Sequence, residues 1–255
     1  MKPKFIYKLI CFLIQHFSDQ AVAVSDATKQ RLIDSGIVDK MKVITIHNGI
    51  SKDYPQNEPD YVRKSLSIPL DAVVIGMVGR VNAWKGQGDF LDAVDPILRR
   101  NQNVHALLVG SAYQGEEAYE QKLFDKVASL DTKERIHLCP FTEQIADYYA
   151  AFNIFVLPSI QPDPFPTVVL EAMSNSLPVV AYDHGGASEM IVDNETGYLC
   201  NALDVSELSR KLDLLVGDPS LRIEMGQKAR ARQEAEFSLD QFVKRMTKVY
   251  LDLIK

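Results

Sequence analysis

The stretch Val73–Val78, with the sequence VVIGMV, decides the fold because it is apolar throughout and does not alternate with polar residues. A strand of this kind is typical of a parallel sheet that is covered on both faces. Five more short runs of similar character follow, and helical patterns separate most of them. These runs are 105–109, 135–138, 154–157, 178–182 and 198–200. The order predicts an α/β fold with a doubly wound, Rossmann-like parallel sheet of about six strands.

The composition is that of an ordinary globular domain, since 46% of the 255 residues are hydrophobic and 24% are charged. A net charge of -6 argues against a nucleic-acid-binding protein. The cysteines, Cys11, Cys139 and Cys200, have neither metal-binding spacing nor the even number of a secreted disulfide framework. We therefore expect a cytoplasmic protein.

The N-terminus is basic over Met1–Lys4 and apolar over Leu9–Ile14. The apolar run is far too short to span a bilayer and shorter than an ordinary signal-peptide core. We interpret the region as an amphipathic helix, rather than a signal peptide, that contacts the inner face of the membrane at most peripherally. Its apolar face, which needs a cover, carries Phe5, Leu9, Phe12 and Leu13.

Changes of pattern divide the chain into three parts. Residues 59–235 contain the complete series of sheet strands and helices. Residues 1–58 resemble the last part of another domain followed by a polar linker or loop at 51–60, which contains two prolines. Residues 236–255 consist mainly of one terminal helix.

The first candidate site is the loop Gly79–Gly86, GRVNAWKG, which follows the strand 73–78. Ligands of open parallel sheets bind beyond the carboxyl ends of the strands. Gly79 allows a ligand to approach the backbone closely. Arg80 can make a forked contact with phosphate oxygens, while Lys85 supplies a point charge. A solvated loop with two surface cations explains this segment equally well.

The second candidate site is Asp163–Glu171, DPFPTVVLE, which follows the strand 154–157. Pro166 suits the first position of a helix, where an anion can bind the free backbone amides. These amides belong to Thr167, Val168 and Val169. Glu171 lies one turn beyond Thr167 on the same helical face. For this segment by itself we favour the alternative, a Pro-rich turn with one capping aspartate.

Considered together, the two segments predict a site for a nucleotide-sugar, because cations suit a diphosphate and carboxylates suit hydroxyl groups of sugar and ribose. The turn His184–Glu189 at the same edge is either a ligand-facing loop or a tight turn. Phe141 follows another strand end and either edges a base or packs in the core. The five histidines lack metal-ligand spacing, so no metal site is predicted.

These motifs resemble the C-terminal domain of a retaining glycosyltransferase of family 4, which has the GT-B fold. Gly79–Gly86 is similar to the donor-diphosphate loop of that family. Asp163–Glu171 is similar to its E-x7-E motif, with Asp in the first place. Further similarities lie at residues 23–25, 47–50, 157–159, 171–173, 178–181 and 185–186.

The resemblance implies that Arg80, Lys85 and Asp163 are catalytic, the two cations at the departing diphosphate and the acid at the donor sugar. It implies that Glu171 binds the ribose and that neither a metal nor another cofactor is needed. The donor-binding residues would be Gly79, Arg80, Lys85, Phe141, Phe165, Pro166, Thr167, Val168 and Glu171. Two departures matter: Asp163 is one methylene shorter than the usual Glu, and Pro166 lacks the amide that a Gly would offer.

The resemblance implies the donor-binding part of an enzyme that transfers a sugar to a glycan or lipid-linked acceptor, in the synthesis of cell-surface polysaccharide or glycoconjugate. Residues 1–58 match only the end of the acceptor domain. A separate acceptor-domain chain or self-association would then cover the exposed junction. The alternatives are a non-catalytic nucleotide-sugar-binding subunit or sensor, and a GT-B-fold epimerase, for which the sequence offers no acid/base set.

Overall fold

The computed structural model describes residues 3–51, 55–58 and 60–254. The predicted basic start at Met1–Lys4 and the predicted loop at 51–60 therefore lie partly outside the described residues. The helices are α1 (Pro3–Phe17), α2 (Asp26–Ile33), α3 (Tyr61–Ser65), α4 (Gln87–Arg100), α5 (Glu117–Ala128), α6 (Ile145–Ala151), α7 (Thr167–Ser174), α8 (Ala187–Met190), α9 (Val205–Gly217), α10 (Pro219–Glu236) and α11 (Leu239–Ile254). The strands are β1 (Ala21–Ala23), β2 (Val43–Thr45), β3 (Val73–Val78), β4 (Val104–Val109), β5 (Ile136–Cys139), β6 (Ile154–Leu157), β7 (Val179–Tyr182) and β8 (Gly197–Cys200).

Strands β3 to β8 form one parallel sheet in the order β5-β4-β3-β6-β7-β8. The chain runs outward from β3 to β5, returns to β6 beside β3, and then runs outward to β8. The predicted α/β fold with a doubly wound parallel sheet of six strands is therefore confirmed. The reversal between β3 and β6 is the topological switch point, the place where ligands of such sheets bind.

Helices cover both faces of this sheet, which explains why its strands do not alternate between apolar and polar residues. Val74 packs in one core with residues of α6, α7 and α10. Its neighbour Ile75 packs in the opposite core with residues of α4, α5 and α9. Both side chains are completely buried.

The residues that precede this sheet form a second, smaller one. Strands β1 and β2 are parallel, and Ala21 pairs with Val43. Cys11 of α1 is buried in the small core beside this pair. Ser25 ends the first strand region and caps α2, since its hydroxyl accepts a hydrogen bond from the Thr28 amide at 3.1 Å.

Several contacts join the segment of the smaller sheet to the elements around the larger one. The carboxylate of Glu189 accepts hydrogen bonds from the backbone amides of Asp26 and Ala27, at 2.8 and 2.9 Å, and contacts His47 Nε2 at 2.8 Å. Farther along, the Leu239 amide donates to the carbonyl of Ile50 at 3.0 Å. Helix α11 therefore begins where the chain leaves the smaller sheet.

Helices α1 and α11 carry apolar side chains that the described residues do not cover. The predicted apolar face of α1 is between 43% and 58% exposed at Phe5, Leu9, Phe12 and Leu13. Within the described residues, α11 has no buried side chain, and its Tyr250 is 60% exposed. A search of the described helices finds none with the length and apolarity needed to cross a membrane.

Candidate functional site

The loop after β3 has a fixed shape because side chains bond to its backbone. The Asn82 side-chain oxygen accepts hydrogen bonds from the amides of Trp84 and Lys85, at 3.1 and 3.0 Å, which forms an Asx turn. Gln87 Nε2 donates to the carbonyl oxygen of Arg80 at 2.8 Å. Both predicted cations therefore extend from a constrained backbone.

The loops after β3 and β6 pack against each other across the switch point. Gly86 has a φ of +80°, and a Cβ atom there would lie 1.8 Å from the carbonyl oxygen of Pro158. The Ile160 amide donates to the carbonyl of Trp84 at 2.8 Å. The two predicted segments therefore belong to one site, as their positions at neighbouring strand ends suggested.

Two of the predicted catalytic groups meet in this site. Lys85 Nζ lies 2.5 Å from Asp163 Oδ2, and each side chain is only 13% exposed. Lys85, which was predicted to contact the phosphate, and Asp163, which was predicted to contact the sugar, are thus direct neighbours. The diphosphate and the sugar of a nucleotide-sugar are likewise adjacent. Because the pair is largely shielded from water, its interaction is stronger than that of an exposed ion pair.

The turn that follows β7 packs against the backbone of Asp163. The Gly186 amide donates to the Asp163 carbonyl at 2.8 Å. Gly185 has a φ of +63°, and a Cβ atom there would lie 2.4 Å from the same carbonyl oxygen. Of the two interpretations of His184–Glu189, the structure therefore favours a tight turn, whose glycines admit the Asp163 loop.

Arg80 is exposed and lies over an aromatic ring. Its guanidinium carbon is 3.9 Å from the ring centroid of Tyr113, a cation–π contact. Tyr113 lies on the loop between β4 and α5 and is 59% exposed. The sequence did not indicate Tyr113, because its neighbours form no recognisable motif.

The start of α7 corrects one prediction. Pro166 is the N-cap residue and not the first residue of the helix, which begins at Thr167. Its carbonyl accepts a hydrogen bond from the Val169 amide at 3.0 Å. The prediction that Val169 offers a free amide was therefore wrong, and the amides of Thr167 and Val168 remain the candidates for an anion.

Among the predicted donor-binding residues, Phe165 and Pro166 have no exposed side chain to present to a ligand. Both side chains are buried. The Phe165 ring stacks on His47, with 5.0 Å between the ring centroids and an angle of 12° between the planes. Phe165 thus holds the segment Asp163–Glu171 against the part of the chain that leaves the smaller sheet.

Glu171 is held by a tyrosine that the sequence did not indicate. Tyr149 of α6 is buried, and its hydroxyl donates to Glu171 Oε2 at 2.9 Å. Burial raises the pKa of Tyr149 well above its ordinary value, and the charge of Glu171 raises it further, so the phenol keeps its proton. Glu171 and Tyr149 line a cavity of about 300 Å³ together with Gly49, Ile50 and Ser51.

Phe141 does not pack in the core, because its side chain is 72% exposed. Its amide donates to Ser111 Oγ at 3.1 Å, while the Ser111 carbonyl accepts from the Val81 amide at 3.1 Å. Ser111 therefore ties together the loops after β3, β4 and β5. A cavity of about 270 Å³ opens beside them and is lined in part by Ser111 and Pro140.

One group of potential metal ligands occurs among the described residues. Atoms of Asp26, His47 and Glu189 lie within 4.8 Å of one another. Both oxygens of Glu189 accept backbone hydrogen bonds, and Asp26 Oδ1 accepts one from Thr45 Oγ1 at 2.5 Å. These three residues are engaged in contacts between the segment that includes β1, β2 and α2 and the helix α8.

Asn82, Ser111, Tyr113 and Tyr149 are the residues of this site that the sequence did not reveal. A signal existed only for Asn82, since an Asn followed by a short loop favours an Asx turn. The other three act through contacts between loops or helices that are distant in the chain, which no local pattern records.

The comparisons with known proteins agree with this geometry. The family model of glycosyl transferases group 1 matches residues 60–232. Because this match covers more than half of the chain, the protein belongs to the glycosyl transferases group 1 family. Its six-stranded sheet is accordingly the Rossmann-like sheet of a GT-B type fold.

Individual relatives are glycosyltransferases. An uncharacterized glycosyltransferase of Haemophilus influenzae is 31% identical over 65% of this chain and 45% of its own length. The capsular polysaccharide biosynthesis glycosyltransferase CapM of Staphylococcus aureus is 26% identical over 92% of this chain and 62% of its own length. The chain thus spans about half the length of these two relatives.

A solved structure shows the same fold. The crystal structure of Anabaena Alr3699/HepE in complex with UDP and glucose superimposes with a TM-score of 0.88 at 24% identity. The similarity covers 97% of this chain and 67% of that one. Nearly all of the present chain therefore has a counterpart in the fold of a longer protein.

Proposed function

We propose that this chain is the donor-binding part of a retaining glycosyltransferase of family 4. The enzyme would transfer a sugar from a nucleoside-diphosphate sugar to a glycan or lipid-linked acceptor, in the synthesis of cell-surface polysaccharide or glycoconjugate. The observation that carries the proposal is the pairing of Lys85 with Asp163 across the switch point. The relative CapM, named for capsular polysaccharide biosynthesis, and the neighbour solved in complex with UDP support it.

In this proposal the diphosphate binds between Arg80, Lys85 and the start of α7. Two fixed cations and the amides of Thr167 and Val168 stabilise the negative charge that develops as the diphosphate leaves. These groups supply the neutralisation that a metal ion gives in other transferases, so binding needs no divalent ion. Titration in the presence of a chelator tests this point, and a requirement for added divalent ion would contradict it.

The sugar and the nucleoside then lie on opposite sides of the diphosphate. Asp163 contacts the sugar hydroxyl groups, Glu171 binds the ribose, and Phe141 edges the base. Retention of configuration requires the acceptor oxygen to bond to the anomeric carbon on the face from which the diphosphate departs. The side chains of Lys85 and Arg80 lower the cost of that departure by stabilising the leaving group.

Isothermal titration calorimetry tests the binding half of the proposal. The chain is titrated with UDP, GDP and ADP, and the tightest of the three is used for the variants. We expect Arg80→Ala to weaken this binding about tenfold, because a charge-assisted contact to phosphate contributes roughly 1.5–3 kcal/mol. Failure of all three nucleotides to bind the intact chain would contradict the proposal.

The acceptor side would be completed by a polypeptide that covers α1 and α11. Both helices expose large apolar residues among the described residues, and exposed apolar patches mark interaction surfaces. We expect either tight binding to a supplied acceptor-domain chain or weak self-association. Light scattering over a concentration series checks the second outcome, and Phe5→Ser with Phe12→Ser should abolish it. A strict monomer at high concentration that also ignores an acceptor-domain chain would contradict this part of the proposal.

A further inference from the structure

We propose that Tyr113 is a positioning residue for Arg80 and holds its guanidinium group at the place where the donor diphosphate binds. This inference rests on the proposed function and adds a residue to it. The guanidinium carbon lies 3.9 Å from the centroid of the Tyr113 ring, which is within the range of a cation–π contact.

The ring can do this because the loop that carries it is tied to the loop that carries Arg80. The Gly79 amide donates to the Val109 carbonyl at 3.0 Å, and the Val81 amide donates to the Ser111 carbonyl at 3.1 Å. These bonds fall on the residues immediately before and after Arg80. The distance between the two loops is therefore fixed on both sides of the arginine.

Gly110 allows the two loops to come this close. It has a φ of +146°, and a Cβ atom there would lie 2.0 Å from the carbonyl oxygen of Gly79. On the C-terminal side, the carbonyl of Tyr113 accepts a hydrogen bond from the Glu116 amide at 2.9 Å, just before α5 begins. Backbone contacts thus define the position of Tyr113 in both directions along the chain.

The benefit of such a contact is preorganisation. An exposed arginine has several freely rotating bonds, and binding a phosphate would otherwise restrict all of them. A ring that already restricts the guanidinium group reduces this cost. Because both side chains are exposed, we expect the effect on nucleotide affinity to be two- to fivefold.

A double-mutant cycle tests the inference with the nucleoside diphosphate that binds tightest among UDP, GDP and ADP. Tyr113→Leu should raise the dissociation constant two- to fivefold, and Tyr113→Phe, which keeps the ring, should restore most of the affinity. In an Arg80→Ala background, Tyr113→Leu should cause no further loss. Tyr119→Leu is the matched control, because Tyr119 on α5 contacts Lys122 instead of Arg80.

The outcomes separate this inference from the proposed function. If Arg80→Ala leaves affinity unchanged, the assignment of the diphosphate site is wrong and the inference fails with it. If Arg80→Ala weakens binding but Tyr113→Leu does not, only the inference fails. An equal loss from Tyr113→Leu with and without Arg80 would show that the ring acts on the nucleotide directly, which also overturns it.

A measurement on the ligand-free chain is independent of nucleotide affinity. The ring current of Tyr113 should shift the side-chain proton resonances of Arg80 upfield in the NMR spectrum. Tyr113→Leu should return these resonances to ordinary arginine values, whereas Tyr113→Phe should preserve the shift. Resonances at ordinary values in the unsubstituted chain would overturn the contact itself.

Discussion

Replacing Lys85 with alanine should weaken nucleoside-diphosphate binding more than any other single change in the site. The variant loses a charge-assisted contact with phosphate, worth roughly 1.5–3 kcal/mol. It also leaves the Asp163 carboxylate, now without its cation at 2.5 Å, beside an incoming dianion. At an effective dielectric constant of about 20, repulsion between two unit charges about 8 Å apart adds about 2 kcal/mol.

The sum of about 3.5–5 kcal/mol predicts that Lys85→Ala raises the dissociation constant several hundredfold or more. Arg80→Ala, which removes an exposed cation without leaving a buried anion, should raise it only about tenfold. Calorimetry with the best-binding nucleoside diphosphate measures both. The double variant Lys85→Ala with Asp163→Asn removes the repulsion and should recover about thirtyfold of the lost affinity.

Two results would refute this reasoning. An unchanged affinity of Lys85→Ala, with an intact circular dichroism spectrum, would remove Lys85 from the phosphate site. A double variant no better than the single one would show that the Asp163 charge does not face the diphosphate. Thermal unfolding of each variant provides the control, because loss of the largely shielded ion pair should itself lower stability by about 1–3 kcal/mol.

Three further predictions concern the carboxylates, the backbone and pH. Glu171→Ala should weaken a nucleoside diphosphate and its nucleotide-sugar alike, while Asp163→Ala should weaken only the nucleotide-sugar. Calorimetry that shows equal losses of the bare nucleotide in both variants would contradict this. Gly86→Ala should lower the free energy of chemical unfolding by about 3 kcal/mol or more, because backbone strain and a backbone clash combine. Gly36→Ala is the control: Gly36 has a φ of +68° but no atom within 4 Å of an added Cβ, so the loss should be about 1 kcal/mol. Burial, together with nearby positive groups, lowers the pKa of His105 to about 4. In the unfolded chain this histidine has a pKa near 6.5, so the unfolded chain binds more protons than the folded chain below that pH. The free energy of unfolding should therefore fall by about 1 kcal/mol between pH 7.5 and 5.5. His105→Asn should reduce this pH dependence.

The sheet could be predicted from the sequence because strands that are buried on both faces are apolar at every position. Val73–Val78 is apolar throughout, and helix patterns alternate with similar runs. The position of the two charged segments after their strands also followed from the chain, since Gly79 and Asp163 come shortly after apolar runs. A single charge type in each segment was sufficient to suggest a diphosphate and a sugar.

The contacts between the loops could not be predicted in the same way. Tyr113 and Tyr149 lie on elements far from the residues they contact, and nothing in their own neighbourhoods indicates a partner. The use of the Val169 amide depended on whether Pro166 caps the helix or begins it, a difference of one residue. Such differences are decided by backbone angles, and Pro166 has an extended ψ of 108° at the cap.

The neighbours of the two carboxylates explain why we assign them different parts of the donor. Asp163 is shorter than the glutamate expected at its position, and its oxygen contacts Lys85, so in the proposed site we place it next to the phosphate and assign it only the nearest part of the sugar. Glu171 accepts a hydrogen bond from the neutral phenol of Tyr149, which helps to fix its direction. It lines the cavity beside Gly49 and Ile50, where we assign it to the ribose. We therefore assign Asp163, the shorter acid that pairs with Lys85, to the sugar. We assign Glu171, the longer acid that Tyr149 holds, to the ribose.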